Sequence, residues 1–326
     1  MQAEYLGSYH PLDASRAPRF ALYRLRQRWS ATLRRWLPRD LGGLEAAMLL
    51  GDKAALPDTV QDTFRAAGIS HLLAVSGLHT GIVFALVNLA LWWLPLFRRG
   101  HLLKNLLAAV AVWLFVAAAG FPPSAVRAAA MCTVLQAALA SASEYVGLNA
   151  LAAAGFGMLV WNPSWLGDIS FQLSFVAVAA ILAWGVPLCR RCRTRWKGVN
   201  VVVDAYLIGF VATVATAPLV SHTFGVVPLA GLAVNPLAIA LAGVVVFGGA
   251  LWMLAPVGFL APAFGFVTGS AAEGISALAR LTASLPGGAA DYTLGGWPTA
   301  AVYAVFALAT LAAWSGEPKK NVSLRT

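Results

Sequence analysis

The side chains of this sequence best equipped for chemistry stand in GISHLLAVSGLHTG, Gly68 to Gly81, where Ser70, His71, Ser76, His79 and Thr80 precede an apolar run from Ile82 to Phe97. Such groups suit two kinds of chemistry. Ser76 and His79 lie three apart on one helical face, the arrangement of a nucleophile and its base. Donors and hydroxyls at the mouth of an apolar segment also suit a wet path for an anionic cargo. Each unsatisfied polar group at bilayer depth costs on the order of several kcal/mol, so these residues face protein or water and not lipid. Glycine packs no side chain and favours turns, so the spacing predicts a short half-helix, a bend at Ser76 and Gly77, and then a full span. Broken helices of this kind occur at substrate pathways; a kinked helix whose His and Ser are satisfied by neighbouring helices is an equal alternative.

Further polar places interrupt the apolar pattern. Pro123 to Ala128, PSAVRA, opens a span with Arg127 in its first turn, either snorkelling to headgroups or facing an aqueous path. In WNPSWLGDISFQLSF, Trp161 to Phe175, Asp168 is placed to cap the following helix, with Gln172 one turn on. Ser170 and Ser174 lie on the nearly opposite side, which makes this an interior helix. Asn235 and Pro236 break the run from Val226 to Leu254, so a segment from about 226 to 234 either dips in and turns back or is simply kinked. Cys189 and Cys192 form one CxxC in a basic loop without a second ligand pair, and are read as incidental thiols.

The elements that must position these groups are membrane helices. Of 326 residues 60% are hydrophobic and 11% charged, against about 25% charged in soluble domains. The chain is expected to be an all-α, polytopic helical membrane protein of about eight or nine spans with broken or re-entrant helices. Apolar stretches fall at roughly 78–97, 102–121, 124–142, 147–161, 169–188, 201–220, 236–254 and 298–314, with 259–285 ambiguous because of Glu273 and Arg280. The net charge of +10 is gathered in Arg98, Arg99 and Lys104, then Arg190, Arg191, Arg193, Arg195 and Lys197, then Lys319, Lys320 and Arg325. Four spans separate each group from the next, so all three reach one side, which the positive-inside tendency makes cytoplasmic.

Before the spans, Leu22, Leu25, Trp29, Leu33 and Trp36 recur at helical spacing with Arg24, Arg26, Arg28, Arg34 and Arg35 on other faces. This predicts a basic amphipathic helix at the interface, touching anionic headgroups or an anionic polymer. Leu44 to Leu50 is too short and charged to span, and Pro57 to Ala67 reads as a surface helix leading to the first motif.

Together these residues resemble the ComEC family, the membrane channels of bacterial natural transformation. The resemblance rests on HLLAVSGLH (His71 to His79), PSAVRA (Pro123 to Ala128) and NPSWLGDISFQLSF (Asn162 to Phe175), in that order, with Asn235 and Pro236 less distinctive. It implies a bacterial inner-membrane channel passing one strand of DNA to the cytoplasm. Residues 41–314 would be the channel domain, 1–40 a polar lead-in with the basic helix, and 315–326 a basic tail. Relatives often carry external OB-like and cytoplasmic metallo-β-lactamase-like domains; with about forty residues before the match and about a dozen after it, the competence domain alone is expected. No enzymatic activity, cofactor or metal is expected. The partners are single-stranded DNA, membrane lipids, and other competence proteins supplying DNA delivery, strand degradation or a motor.

The path for DNA is expected to involve His71, Ser76, Gly77, His79, Arg127, Asp168, Gln172, Ser174 and Asn235, with Asp168 capping its helix or pairing with a cation such as Arg127. The rivals are a secondary transporter of a small anion and an intramembrane serine protease built on Ser76 and His79.

Overall fold

In a computed structural model of the protein, the described residues are 21–37, 39–52, 54, 56–96, 100–140, 146–227, 230–254, 261–285 and 290–315. The polar lead-in (1–18), Arg98, Arg99, Lys319, Lys320 and Arg325 lie outside them. Among the described residues the chain is nearly all helix: α1 (Ala21–Trp36), α2 (Arg39–Leu50), α3 (Asp58–Ala66), α4 (Gly77–Ala90), α5 (Gly100–Ala118), α6 (Pro123–Ala140), α7 (Gly147–Trp161), α8 (Ile169–Arg191), α9 (Lys197–Phe224), α10 (Gly231–Leu254), α11 (Ala261–Ala283) and α12 (Gly296–Ser315). Five stretches, Gly77–Leu96, Gly100–Ala118, Ile169–Arg191, Lys197–Phe224 and Gly231–Trp252, are long and apolar enough to cross a membrane, which fits a membrane protein.

The outward faces support that reading. In α5, Ala108, Val112 and Val116 are buried, whereas Leu103, Leu106, Val110 and Leu114 are exposed. Leucines and a valine turn outward while alanine and two valines pack inward, so both faces are apolar, unlike a water-facing helix.

α2 is the helix that the sequence most understates. None of Leu44 to Leu50 is more than 2% exposed, and α2 packs against α1, α10 and α11. It is too short to be read as a span, yet it forms the centre of the domain. α1 does not lie only on headgroups, because Trp29 and Leu33 pack with Leu49, Leu50 and Trp252 in a shared core. Its arginines divide accordingly. Arg28 and Arg35 are exposed, Arg24 and Arg26 half-buried, and Arg34 turns inward to Asp52 at 2.6 Å.

The α1–α2 hairpin is closed by Asp52, whose Oδ2 also accepts the Ser30 hydroxyl at 2.5 Å, while Oδ1 accepts the Ala54 amide at 3.3 Å. Burial alone would raise this carboxyl, but the Ser30, Ala54 and Arg34 donors together hold it below the usual aspartate range. A depressed carboxyl stabilises the fold above its unfolded pKa, and that stability is lost as pH falls through the folded value. With Arg34 35% exposed, Asp52→Asn is expected to cost only about 1–2 kcal/mol at neutral pH. Melting curves of the two proteins should converge once pH drops below about 4. A constant gap across that range, or none at neutral pH, would remove this assignment.

Two expected breaks take different forms. No half-helix precedes Ser76; a 3-10 turn (Ser70–Leu73) leads into extended Ala74 and Ser76, and α4 starts at Gly77. Among the described residues of 226–234 no re-entrant dip is seen. Val226 and Val227 pair antiparallel with Ala290 and Asp291, and α10 begins at Gly231 with Pro236 inside it. Pro236 gives up only the bond to the Leu232 carbonyl, in the second turn of the helix, and α10 continues through it to Leu254. An unforeseen irregularity lies in α8, where Ile181–Gly185 forms a π turn. The β1 (Val226–Val227) and β2 (Ala290–Asp291) pair ties the end of α9 to the start of α12. Ser221 reinforces the link by donating its hydroxyl to the Tyr292 carbonyl and accepting the Leu294 amide at 3.2 Å.

Candidate functional site

The first turns of α4 and α6 meet the second turn of α8. Ser76 is extended (φ −114°, ψ 177°) and serves as N-cap of α4. Its hydroxyl accepts the Leu78 amide at 3.3 Å, and its own amide donates to His79 Nδ1 at 3.1 Å, a reciprocal capping box with histidine in the place of glutamate. An Nδ1 that accepts an amide hydrogen carries none itself, so a neutral ring holds its proton on Nε2. His79 is wholly buried, and its Nε2 has no hydrogen-bond partner. Ser76 Oγ lies 2.8 Å from Nδ1.

α6 docks on this turn through Ser124, whose hydroxyl donates to the Val75 carbonyl at 2.9 Å. One turn on, Arg127 is 7% exposed; its Nε donates to Ser174 Oγ at 2.7 Å, and Nη1 lies 3.8 Å from Met131 Sδ. A Cβ on Gly77 would come within 3.0 Å of Arg127 Nη2, so the glycine lets the guanidinium rest on the start of α4. Among the described residues no carboxylate lies within ion-pair distance of Arg127. The cation therefore sits at the positive ends of two helices, uncompensated by an acid.

α8 is placed by Asp168, whose Oδ1 accepts the Phe171 amide at 3.0 Å. Phe171 stacks on Phe175 with centroids 4.3 Å apart, and both pack with Val75, Val112, Val126 and Ala129 around the polar cluster. Gly155 of α7 makes room for Phe175, where a Cβ would come within 2.9 Å of the ring.

Ser76, Gly77, His79, Arg127 and Ser174 are thus brought together. His71 is exposed on the 3-10 turn. Asp168 is occupied as a cap, and Gln172 bends back to donate to the Leu166 carbonyl at 2.7 Å. Asn235 stands in α10 with Oδ1 buried and unpartnered, and no hydrogen bond links it to the cluster. No group of three or more metal-ligating side chains occurs among the described residues.

The three segments that meet here all lie within the match to one protein family. The family model described as "Competence protein" matches residues 48–318. This chain belongs to the competence protein family. Among curated proteins, it is 28% identical over 188 residues to ComE operon protein 3 of Bacillus subtilis (strain 168), covering 58% of this chain and 23% of that protein. It is also 32% identical over 195 residues to an uncharacterized protein of Aquifex aeolicus (strain VF5), covering 59% of this chain and 43% of the other. The chain therefore spans less than half of either relative. No solved structure matched it.

This competence domain also holds polar groups that motif reading passes over. Gln136 of α6 donates to Asn88 of α4 at 3.2 Å, Asn105 of α5 donates to the Gln136 carbonyl at 3.4 Å, and Trp113 donates to Thr133 at 3.0 Å. They form a polar seam through α4, α5 and α6. Asn88, Asn105, Thr133 and Gln136 are amides and a hydroxyl within otherwise apolar stretches, and that setting is the signal that could have found them.

Proposed function

We propose that this chain is a bacterial inner-membrane channel through which a single strand of DNA enters the cytoplasm during natural transformation. The observation that carries the reading is the meeting of three family motifs at one buried, acid-free cation, Arg127. A strand with a phosphate at every nucleotide needs positive potential and donors in place of its hydration shell. A single cation with hydroxyl neighbours attracts it weakly enough for it to move on.

In this reading α4 to α12 cross the bilayer, with α7 and α12 as the short members, in keeping with eight or nine spans. The helix ends and connections carrying Arg98, Arg99 and Lys104, and Arg190 to Lys197, then share the cytoplasmic face with the tail. The strand pair joining the end of α9 to the start of α12 supports this alternation. His71 and the exposed Arg28 and Arg35 stand nearer water and are assigned to the entrance, where they meet DNA or headgroups. Other competence proteins supply delivery, strand degradation and drive. The domain acts as a conduit without catalysis: Ser76 and His79 are engaged in capping α4, which favours a structural duty over a nucleophilic one.

A buried lone cation also suits a small anion, and one experiment separates the two cargoes. In a transformable strain deleted for its own channel, this chain is expected to restore entry of labelled DNA into a nuclease-protected compartment. Failure to do so, together with accumulation of a small organic anion in proteoliposomes, would overturn the DNA reading.

A further inference from the structure

We infer that Glu45 is a proton-binding site of this domain, held as the neutral acid while α2, α10 and α11 are packed together and ionised only when they part. The cavity shares no lining residue with the cluster at Arg127, and the inference does not depend on what crosses the membrane.

Glu45 is 0% exposed, and both carboxyl oxygens are buried without a hydrogen-bond partner. It lines a cavity with Leu33, Leu37, Trp252, Phe264 and Thr268, which leaves ≈ 20 Å³ for the centre of a water molecule, room for one. A carboxylate in such surroundings has neither hydration nor a counter-ion, and the usual response is to keep a proton.

No charged neighbour alters this. From α1, Arg34 is bound to Asp52, and Arg26 lies beside Gly51 and Gly120. α4 presents His79, and the 3-10 turn presents His71. α10 carries no titratable side chain, and Glu273 and Arg280 of α11 are exposed. Among the described residues none of these forms an ion pair with Glu45.

What the cavity does offer is an acceptor. Thr268 Oγ1 donates to the Phe264 carbonyl at 2.9 Å, leaving its lone pairs for an acid O–H, directly or through the single water. A metal cation would need several more oxygens than the lining side chains provide. Gly248 and Gly249 of α10 face this region so closely that a Cβ would lie 2.6 Å from Thr268 Cγ2 and 2.3 Å from Leu49 Cδ1 respectively. Protonation is thereby tied to helix packing, since charging Glu45 requires these close approaches to loosen.

The test is infrared absorption of the full chain in lipid nanodiscs at neutral pH. Wild type minus Glu45→Gln should contain one carboxylic-acid C=O band, and Thr268→Val should shift it. The melting temperature of the wild type should also rise relative to Glu45→Gln as pH falls from neutral toward about 4, because the folded state holds a proton that the unfolded chain releases. Absence of the band in folded wild type overturns the proposal, as does a band that persists in Glu45→Gln. If Glu45→Gln does not fold, an unshifted band in Thr268→Val does the same. A carboxylate spectrum with sodium-dependent melting would assign the cavity to a metal cation and equally overturn it.

Discussion

Arg127→Met is expected to leave the domain folded and to lower DNA entry by about 10- to 100-fold, the range set by losing one hydrogen bond to a charged group, about 1.5–3 kcal/mol. Methionine is unbranched and apolar, and it enters a site already lined by Val126, Ala129 and Phe171. Replacing a buried ion by a hydrophobe of similar size is often neutral or stabilising, whereas a charge without an acid partner is itself costly. Stability and function therefore separate in this variant. The Ser174 hydroxyl loses the guanidinium at 2.7 Å, which costs about 1 kcal/mol. Arg127→Lys keeps the charge but not the planar fork, and should fall between the two. Nuclease-protected uptake checks the first effect, and detergent melting curves check the second. Full uptake by a folded Arg127→Met would make Arg127 a brace between α4, α6 and α8, outside the path. A methionine variant that does not fold would make it a pillar of the domain.

Gly42→Ala should be the most damaging small change at the α1–α2 hairpin, at about 1–3 kcal/mol or somewhat more. A Cβ at Gly42 would lie 2.8 Å from the Arg34 Cα and 3.2 Å from the Leu33 carbonyl, both backbone atoms that no rotamer change can move. Helices α1 and α2 would have to separate, loosening Leu33, Leu49 and Leu50 in their shared core and moving Asp52 away from Arg34. A glycine-to-alanine change inside a helix otherwise stabilises by about 1 kcal/mol, so the sign of the effect isolates the contact. An unchanged or raised melting temperature would mean that the two helices do not approach so closely in solution.

Much of the site was legible because its residues announce themselves locally. Asp168 three residues before Phe171 encodes a cap, whereas SGLH reads locally as a bend between two helical pieces and is a capped helix start only once the 3-10 turn before it is seen. Arg127 is conspicuous as a lone cation entering an apolar helix. Gln172 and Asn235 stand outside the cluster for a related reason: a polar residue in a span signals that some partner must exist, but not which one. Gln172 bonds the turn just before its own helix, and Asn235 stands apart in α10. The proline at 236 read as a break because its missing donor is certain, while its place in the second turn of a helix that starts at Gly231 depends on where the chain around it packs.

What sequence alone determined is the helical membrane character, the family, and the helix starts that carry the polar groups, because hydropathy and capping act over a few neighbouring residues. Tertiary structure alone decided that α2 is the centre of the fold, that Arg127 has a hydroxyl for a partner and no acid within reach, and that Glu45 is enclosed. Burial is a property of what packs around a segment, and twelve residues with two glycines and a glutamate carry no local mark of being surrounded on every side.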